Sequence, residues 1–133
     1  MRTFKLQVVT PDGEIFNGDA ESLLVRTSDG DVEFLAGHID YIASVGTGRA
    51  RIKTGGADRF ASVSRGIVTV RGGEVTLAAV TFEFSENIDV ERAKRAKEAA
   101  EEKLKAAKDE RDIKLAKAKL ERAISRIKAA DLN

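Results

Sequence analysis

Three arginines in the last third of the chain have the spacing expected of an anion-binding site. Arg122 and Arg126 are four residues apart, which places both on one face of a helix. If the last 45 residues form two antiparallel helices with a turn near residues 108–112, Arg92 lies beside this pair. The free backbone N–H groups and the positive dipole end of the first helix point into the same region. Together these groups predict a pocket for a phosphate or another anion.

Two carboxylates belong to the same end of the predicted helix pair. Glu83 and Asp89 are placed to accept hydrogen bonds from the amino group of a base, so the set suits a nucleotide. The opposing interpretation is that these acidic and basic side chains form salt bridges with one another at the surface. The residues alone leave both interpretations open.

The composition excludes several other kinds of chemistry. The chain has no cysteine, which rules out disulfides, thiol nucleophiles and Cys-based zinc sites. His38 is the only histidine, so His-rich metal sites are excluded as well. The sequence shows no nucleophile–base pair, phosphate-binding glycine loop or metal-ligand set, which predicts a non-enzymatic protein without a metal. With 23 Lys and Arg against 22 Asp and Glu, the net charge of +1 argues against nucleic acid as a partner.

A sharp change of composition near residue 88 predicts two structural units. Residues 89–133 contain no glycine, proline or aromatic residue, although the chain has 11 glycines. Residues 1–88 carry 9 basic and 12 acidic side chains, whereas residues 89–133 carry 14 and 10. We therefore expect an α+β fold, with an antiparallel β-sandwich over residues 1–86 followed by an antiparallel α-helical hairpin over residues 87–133. No stretch approaches 18 consecutive apolar residues, so the sequence predicts no membrane-spanning segment.

The first unit has the pattern of short strands separated by turns. Phe4, Leu6 and Val8 alternate with polar residues, which is the period of a half-buried strand. Turns are predicted where Gly, Pro, Asn or Asp cluster, at residues 11–13, 17–19, 28–30, 55–56 and 72–73. Short strands with such frequent turns predict a sandwich or a barrel.

The second unit has small apolar residues at helical spacing. They are Ala93, Ala96, Ala100, Leu104 and Ala107 in the first helix, then Ile113, Ala116, Leu120, Ala123, Ile124 and Ile127 in the second. Asp89 is the predicted N-cap, and residues 109–112 are the predicted break, because Asp favours helix starts over helix interiors. Since no Gly or Pro enforces this break, a single long helix is the alternative to two helices. An alanine stripe buries little apolar area, so the hairpin should be held only weakly against the sandwich. The alternative to a functional hairpin is a solvated amphipathic hairpin that simply caps the domain.

The segment Ile88-Asp89-Val90-Glu91-Arg92-Ala93 resembles the I/L-D-x-x-R-A motif of the epsilon subunit of bacterial F-type ATP synthases. Other segments resemble the same family in the same order. They are VTPDG at residues 9–13, DGDVEFLAGH at residues 29–38 and SRGIVTV at residues 64–70. The resemblance covers essentially the whole chain, and its specificity comes from the order and spacing of the segments.

This resemblance implies a non-catalytic subunit of the central rotor stalk, at the cytoplasmic face of the bacterial cell membrane. The sandwich would bind the gamma subunit and the ring of c subunits, and so couple ion flow to ATP synthesis. The hairpin would permit ATP hydrolysis when compact and inhibit it when extended towards the alpha and beta subunits. The resemblance implies neither nucleic-acid binding nor direct insertion into the membrane.

The resemblance also implies that the compact form binds ATP as a regulatory ligand. Residues that match the family's nucleotide contacts are Glu83, Ile88, Asp89, Arg92, Ala93, Arg122 and Arg126. Glu83 and Asp89 are assigned to the adenine, and the three arginines to the phosphates. Ala99 departs from the pattern, because ATP-binding relatives have arginine there, and losing one phosphate contact weakens affinity about tenfold to a hundredfold. Arg95, one turn away, is a partial substitute.

Asp31 and His38 match positions that face the c-ring or gamma in the family. For His38, a hydrogen bond within its own turn is favoured over any catalytic role. The alternative function is a free-standing nucleotide-sensing module that never joins a rotor. RNA binding ranks below both, because the basic hairpin has no aromatic residue on which a base can stack.

Overall fold

The computed structural model describes residues 2–130, in which a β-sandwich is followed by a helical hairpin. The strands are β1 (Phe4–Thr10), β2 (Gly13–Ala20), β3 (Ser22–Thr27), β4 (Gly30–Leu35), β5 (Tyr41–Val45), β6 (Gly48–Thr54), β7 (Ala57–Arg71) and β8 (Glu74–Phe84). A 3-10 turn at Ser85–Asn87 leads to the helices α1 (Val90–Ala106) and α2 (Glu110–Ala130). The predicted α+β fold is confirmed, and the boundary predicted after residue 86 falls within the 3-10 turn.

The strands follow the order β2-β1-β8-β7-β5-β3-β4, and β6 pairs with both β3 and β7. Within residues 2–130, every strand pair is antiparallel except β1 with β8, where Leu6 lies opposite Val75 in a parallel register. Turns fix the antiparallel direction of sequential neighbours, whereas β1 and β8 are the first and last strands and no turn joins them. The prediction of an antiparallel sandwich therefore holds with this one exception.

The long strand β7 connects the two halves of the sandwich. Its first half, residues 57–63, pairs with β6, its second half, residues 66–70, pairs with β5, and β8 runs along its other edge. The change of partner falls at Arg65, whose φ of +31° lies in the left-handed region. The next residue, Gly66, lies so close to β8 that an added Cβ would meet the carbonyl oxygen of Ala78 at 2.2 Å.

The interior of the sandwich is apolar and continuous. Phe4, Leu6 and Val8 are all buried, as the alternation on β1 predicts. The other large side chains that are fully buried are Leu23, Val25, Phe34, Ile52, Val63, Val68, Val75 and Leu77. Each such side chain stabilises the fold by about 1.5–3 kcal/mol, and all of these come from the strands. The sandwich thus has a core of its own, independent of the hairpin.

Four of the five predicted turns are confirmed, and the one at residues 17–19 is wrong. Strand β2 continues through Asn17, Gly18 and Asp19, which pair with Gln7, Leu6 and Lys5 of β1. On this edge strand the pairing with β1 overrides the local turn preference of Asn, Gly and Asp. The turn between β2 and β3 comes later, at Glu21.

The helix starts follow the predicted capping chemistry. The Asp89 carboxylate accepts a hydrogen bond from the backbone N–H of Arg92 at 3.1 Å, so its role as N-cap of α1 is confirmed. Asp109 does the same for α2, where its Oδ1 accepts from the N–H of Asp112 at 2.8 Å. The break therefore lies at residues 107–109, earlier than the predicted 109–112, because Asp109 caps α2 from outside. Two helices form here in place of a single long one.

Neither helix in the described part of the chain combines the length and apolar character needed to cross a membrane.

Candidate functional site

A cavity of about 620 Å³ lies between the hairpin and the side of the sandwich formed by β8 and the β1–β2 turn. Both helices contribute to its wall, and the small residues Ala96, Ala99 and Ala100 of α1 leave it open. The charged side chains that line it are Asp12, Glu83, Arg92, Lys103, Lys119, Arg122 and Arg126. The cavity thus has five cationic and two acidic side chains, which favours an anionic occupant.

The cavity brings together four of the seven residues predicted for the nucleotide. Glu83, Arg92, Arg122 and Arg126 all line it, and the antiparallel hairpin is what places the three arginines side by side. The remaining three predicted residues serve the structure around the cavity. Asp89 caps α1, while Ile88 and Ala93 are buried, at 9% and 0% exposure. Their assignment to the nucleotide stays a prediction.

Glu83 and Arg126 form a salt bridge across the cavity wall. Nη2 of Arg126 donates to both carboxylate oxygens of Glu83, at 2.9 and 3.2 Å. The two side chains are about one-third exposed, so the pair contributes little to stability by itself. The buried Nε of Arg126 has no hydrogen-bond partner within the described residues, which leaves this guanidinium incompletely satisfied. The salt-bridge interpretation thus holds for this pair.

The other cations of the cavity are not neutralised by neighbouring acids. Among residues 2–130, no carboxylate lies within 4 Å of the charged nitrogens of Arg92, Lys103, Lys119 or Arg122. Lys103 of α1 and Lys119 of α2 both line the cavity, and the neighbouring ammonium group of Lys103 lowers the pKa of Lys119, with a smaller effect from Arg122. A nearby like charge disfavours the charged form of an ammonium group. Sequence reasoning missed both lysines, because an exposed lysine on a helix carries no signal of its own.

A pair of buried hydroxyls holds α2 against the sandwich. Ser125 Oγ lies 2.9 Å from Ser62 Oγ of β7 and donates to the carbonyl oxygen of Gly48 at 3.0 Å. Both serines are buried, at 6% exposure. The other buried residues of α2 are alanines, so this polar contact defines where the helix docks. The role of Ser125 was not predicted from the sequence. Its only signal is that it lies four residues before the buried Ala129, on the same side of the helix.

A second cavity, of about 460 Å³, lies on the opposite face of α2. Asp31, at the start of β4, lines it together with Arg26, Arg49 and Lys128. The structure does not bring Asp31 together with His38, which lies beyond the far end of the same strand.

The predicted local hydrogen bond of His38 is confirmed. Its Nδ1 lies 2.7 Å from the carbonyl oxygen of the next residue, Ile39, and its ring packs against Phe34 and Tyr41. The hydroxyl of Tyr41 donates to Asp29 at 2.9 Å, and this bond raises the pKa of Tyr41. The start of β5 is thereby bonded to the β3–β4 turn.

Large apolar side chains are exposed on the outside of the sandwich. Ile42, Ile67 and Val80 lie on the same face of the adjacent strands β5, β7 and β8, at 71%, 50% and 58% exposure. Leu35 and Ile39 flank His38 and are 52% and 77% exposed. We refer to Ile42, Ile67, Leu35 and Ile39 as the apolar face and leave out Val80, because Val80 also lines the 620 Å³ cavity. Exposed apolar side chains of this size are typical of sites of protein–protein contact.

Over residues 2–130, no three His, Asp or Glu side chains are grouped so that they can hold a metal ion.

Two sequence models of known domains together match nearly the whole chain. The first is the ATP synthase delta/epsilon chain β-sandwich domain, which matches residues 3–85. The second is the ATP synthase delta/epsilon chain long α-helix domain, which matches residues 86–131. The order of the two matches is the order of the sandwich and the hairpin in the structure.

Individual relatives and solved structures point the same way. The chain is 41% identical over 104 residues to the ATP synthase epsilon chain of Bacillus pumilus, covering 78% of this chain and 79% of that one. It is 44% identical over the same length to the epsilon chain of Bacillus licheniformis, again covering 78% and 79%. A chain in the Euglena gracilis mitochondrial ATP synthase OSCP/F1/c-ring structure aligns with a TM-score of 0.82 at 25% identity, covering 98% of this chain and 82% of that chain. A chain of the Tetrahymena thermophila central stalk/c-ring structure shares the fold, with a TM-score of 0.67 at 13% identity and 97% coverage of both chains.

Proposed function

Because the chain belongs to the delta/epsilon family of ATP synthase subunits, we propose that it is a central-stalk rotor subunit that couples transmembrane ion flow to ATP synthesis. The subunit is non-catalytic, and the chemistry belongs to its partners. One observation carries the proposal: the whole architecture, sandwich followed by hairpin, aligns with a chain of an ATP synthase F1/c-ring assembly. Within this proposal the chain is peripheral to the membrane, at its cytoplasmic face.

We assign the apolar face to contact with the gamma subunit. Ile42 and Ile67 project from neighbouring strands, and the β4–β5 connection that carries Ile39 and His38 adjoins them. Exposed apolar side chains of this kind are typical of the centre of a protein interface. Asp31 lies at the other end of β4 and is assigned to the c-ring side.

The hairpin is the proposed regulatory element. Its buried side chains are Ala93 and Ala100 in α1 and Ala116, Ala123, Ser125 and Ala129 in α2. At about 0.8 kcal/mol per buried methyl-sized group, this interface contributes only a few kcal/mol. A docked state of that stability is readily exchanged for an extended one by a partner that binds the extended state better. In the extended state the helices contact the alpha and beta subunits and inhibit ATP hydrolysis.

Deleting residues 89–133 is expected to leave a folded sandwich and to raise the ATPase activity of the assembled enzyme. The apolar core lies within the strands, so the free energy of unfolding should fall by no more than a few kcal/mol. Thermal unfolding of the truncated chain and ATPase assays of enzyme reconstituted with either form measure the two effects. An unfolded truncated chain would contradict the two-unit organisation, and unchanged ATPase activity would contradict the inhibitory role.

ATP is the proposed ligand of the 620 Å³ cavity in the compact form. Arg92, Arg122 and Arg126 converge there, and Glu83 lies beside them. Since both helices and β8 form the wall, a ligand held there stabilises the docked hairpin. Bound ATP therefore favours the compact state over the extended, inhibitory one.

Titration of the isolated protein with ATP should release or absorb measurable heat, and Arg126→Ala should weaken binding about tenfold to a hundredfold. The loss arises because a charge-assisted phosphate contact disappears and Glu83 is left without its partner. Arg111→Ala is the matched control, since Arg111 is exposed on the same helix and does not line the cavity. Equal heats for wild type and Arg126→Ala, or no heat at millimolar ATP, would contradict the proposed ATP site in this cavity.

The second candidate function, a free-standing nucleotide-sensing module, shares this cavity but needs no rotor. Copurification with a gamma subunit separates the two. A chain that binds ATP and fails to bind gamma is a module, whereas a chain that binds gamma is a rotor subunit.

A further inference from the structure

We propose that Lys103 and Lys119 form a subsite for the terminal phosphates of the bound nucleotide, a role that rests on the ATP binding proposed above. Lys103 lies on α1, one turn beyond Ala99, and Lys119 faces it from α2. Both line the same cavity as Arg92, Arg122 and Arg126. The two ammonium groups provide the positive charge that Ala99 does not.

The two lysines line one cavity, and no carboxylate of the described residues lies within 4 Å of either ammonium group. Two ammonium groups within reach of each other repel, and Arg122 on the neighbouring turn adds to the repulsion. Of the two acids that line the cavity, Glu83 is already bonded to Arg126, and Asp12 has no cation within 4 Å in the described residues. An anion placed between the lysines removes the repulsion and gains two charge-assisted hydrogen bonds.

The arrangement of the cations favours a chain of phosphates over a single small anion. Lys119, Arg122 and Arg126 follow one another at spacings of three and four residues, so each lies one turn beyond the last. Together they span about 10 Å along α2. Across from them, Ala96 and Ala99 of α1 leave room for a ligand that lies along this row. A polyphosphate can engage all three cations at once, with its end at Lys103 and Lys119.

Calorimetric titrations of the full-length protein with AMP, ATP and inorganic tripolyphosphate test the subsite. Lys103→Gln and Lys119→Gln should each weaken ATP and tripolyphosphate binding about tenfold and leave AMP binding unchanged. Lys119→Arg, which keeps the charge, should retain most of the ATP affinity. Lys117→Gln is the control, because Lys117 is an exposed lysine of α2 outside the cavity. In the absence of ligand, Lys103→Gln should raise the melting temperature, since it removes the repulsion.

The outcomes distinguish this subsite from the ATP binding on which it rests. ATP binding that is unaffected by both lysine substitutions overturns the subsite and leaves the proposed function standing. Lysine-dependent binding of tripolyphosphate without any binding of ATP supports the anion subsite and overturns the nucleotide assignment. A wild-type protein that binds neither ligand overturns both. An equal loss of AMP and ATP affinity in the lysine variants also overturns the assignment to the terminal phosphates.

Discussion

Replacing Ile42 by aspartate is expected to abolish binding of the chain to the gamma subunit while leaving the chain folded. Ile42 is 71% exposed, so the substitution removes no core contact. It lies close to Ile67 on the adjacent strand, where a partner seated on the apolar face would bury a carboxylate without a counter-charge. An unpaired charge at the centre of an interface costs several kcal/mol, which corresponds to a loss of affinity of more than about a hundredfold.

Copurification with gamma and circular dichroism of the free chain measure the two halves of this prediction. Leu115→Asp is the matched control, because Leu115 is 53% exposed and lies on α2, away from the apolar face. We expect the control variant to bind as wild type does. If both variants bind gamma equally well, the apolar face is not the rotor contact. If both fail, the loss is not specific to this surface.

Replacing Gly66 by alanine is expected to destabilise the sandwich by about 3 kcal/mol. The new Cβ would meet the carbonyl oxygen of Ala78 at 2.2 Å and the Cα of Ala79 at 2.9 Å. Both are backbone atoms of β8, which cannot swing aside as the end of a flexible side chain can. Relief therefore requires β7 and β8 to separate where their pairing closes the core, and the melting temperature should fall by on the order of 10 °C.

Thermal and urea unfolding of Gly66→Ala and Gly18→Ala measure this effect against a matched control. Gly18 is also within a strand, but its Cβ would meet nothing closer than 3.6 Å. The control should be neutral or slightly stabilising, because alanine reduces the freedom of the unfolded chain. Equal stability of the two variants would show that the backbone of β8 at Ala78 moves away from the new methyl group without loss of stability.

The parts of this fold that the sequence predicted are those with a local cause. Alternation at Phe4, Leu6 and Val8 fixes which face of β1 is buried, and the Gly-Gly pairs at residues 55–56 and 72–73 adopt the positive φ angles of tight hairpins. Asp89 begins α1 for an equally local reason, since its carboxylate bonds a backbone N–H three residues later. The arginine cluster was predicted because an antiparallel hairpin follows from its two amphipathic halves.

The parts that escaped prediction depend on contacts between distant residues. Asn17, Gly18 and Asp19 form strand instead of turn because β1 supplies their partners. Ser125 is buried because Ser62 and Gly48, more than sixty residues earlier, offer hydrogen-bond partners. The exposure of Ile42 depends on which face of β5 the core occupies, and a run of five residues does not specify that.

The strand β7 connects the apolar face to the contact that holds the hairpin. Ile67 on the apolar face and Ser62 in the contact with α2 are five residues apart on this one strand, and Arg65, with its left-handed φ, lies between them. Neighbouring strands bond to β7 along both edges, on either side of Arg65. In the proposed rotor function, a force applied at the apolar face would act through β7 on the two hydroxyls that hold the hairpin. If the chain has the proposed function, its contact with gamma and the docking of its hairpin depend on the same strand.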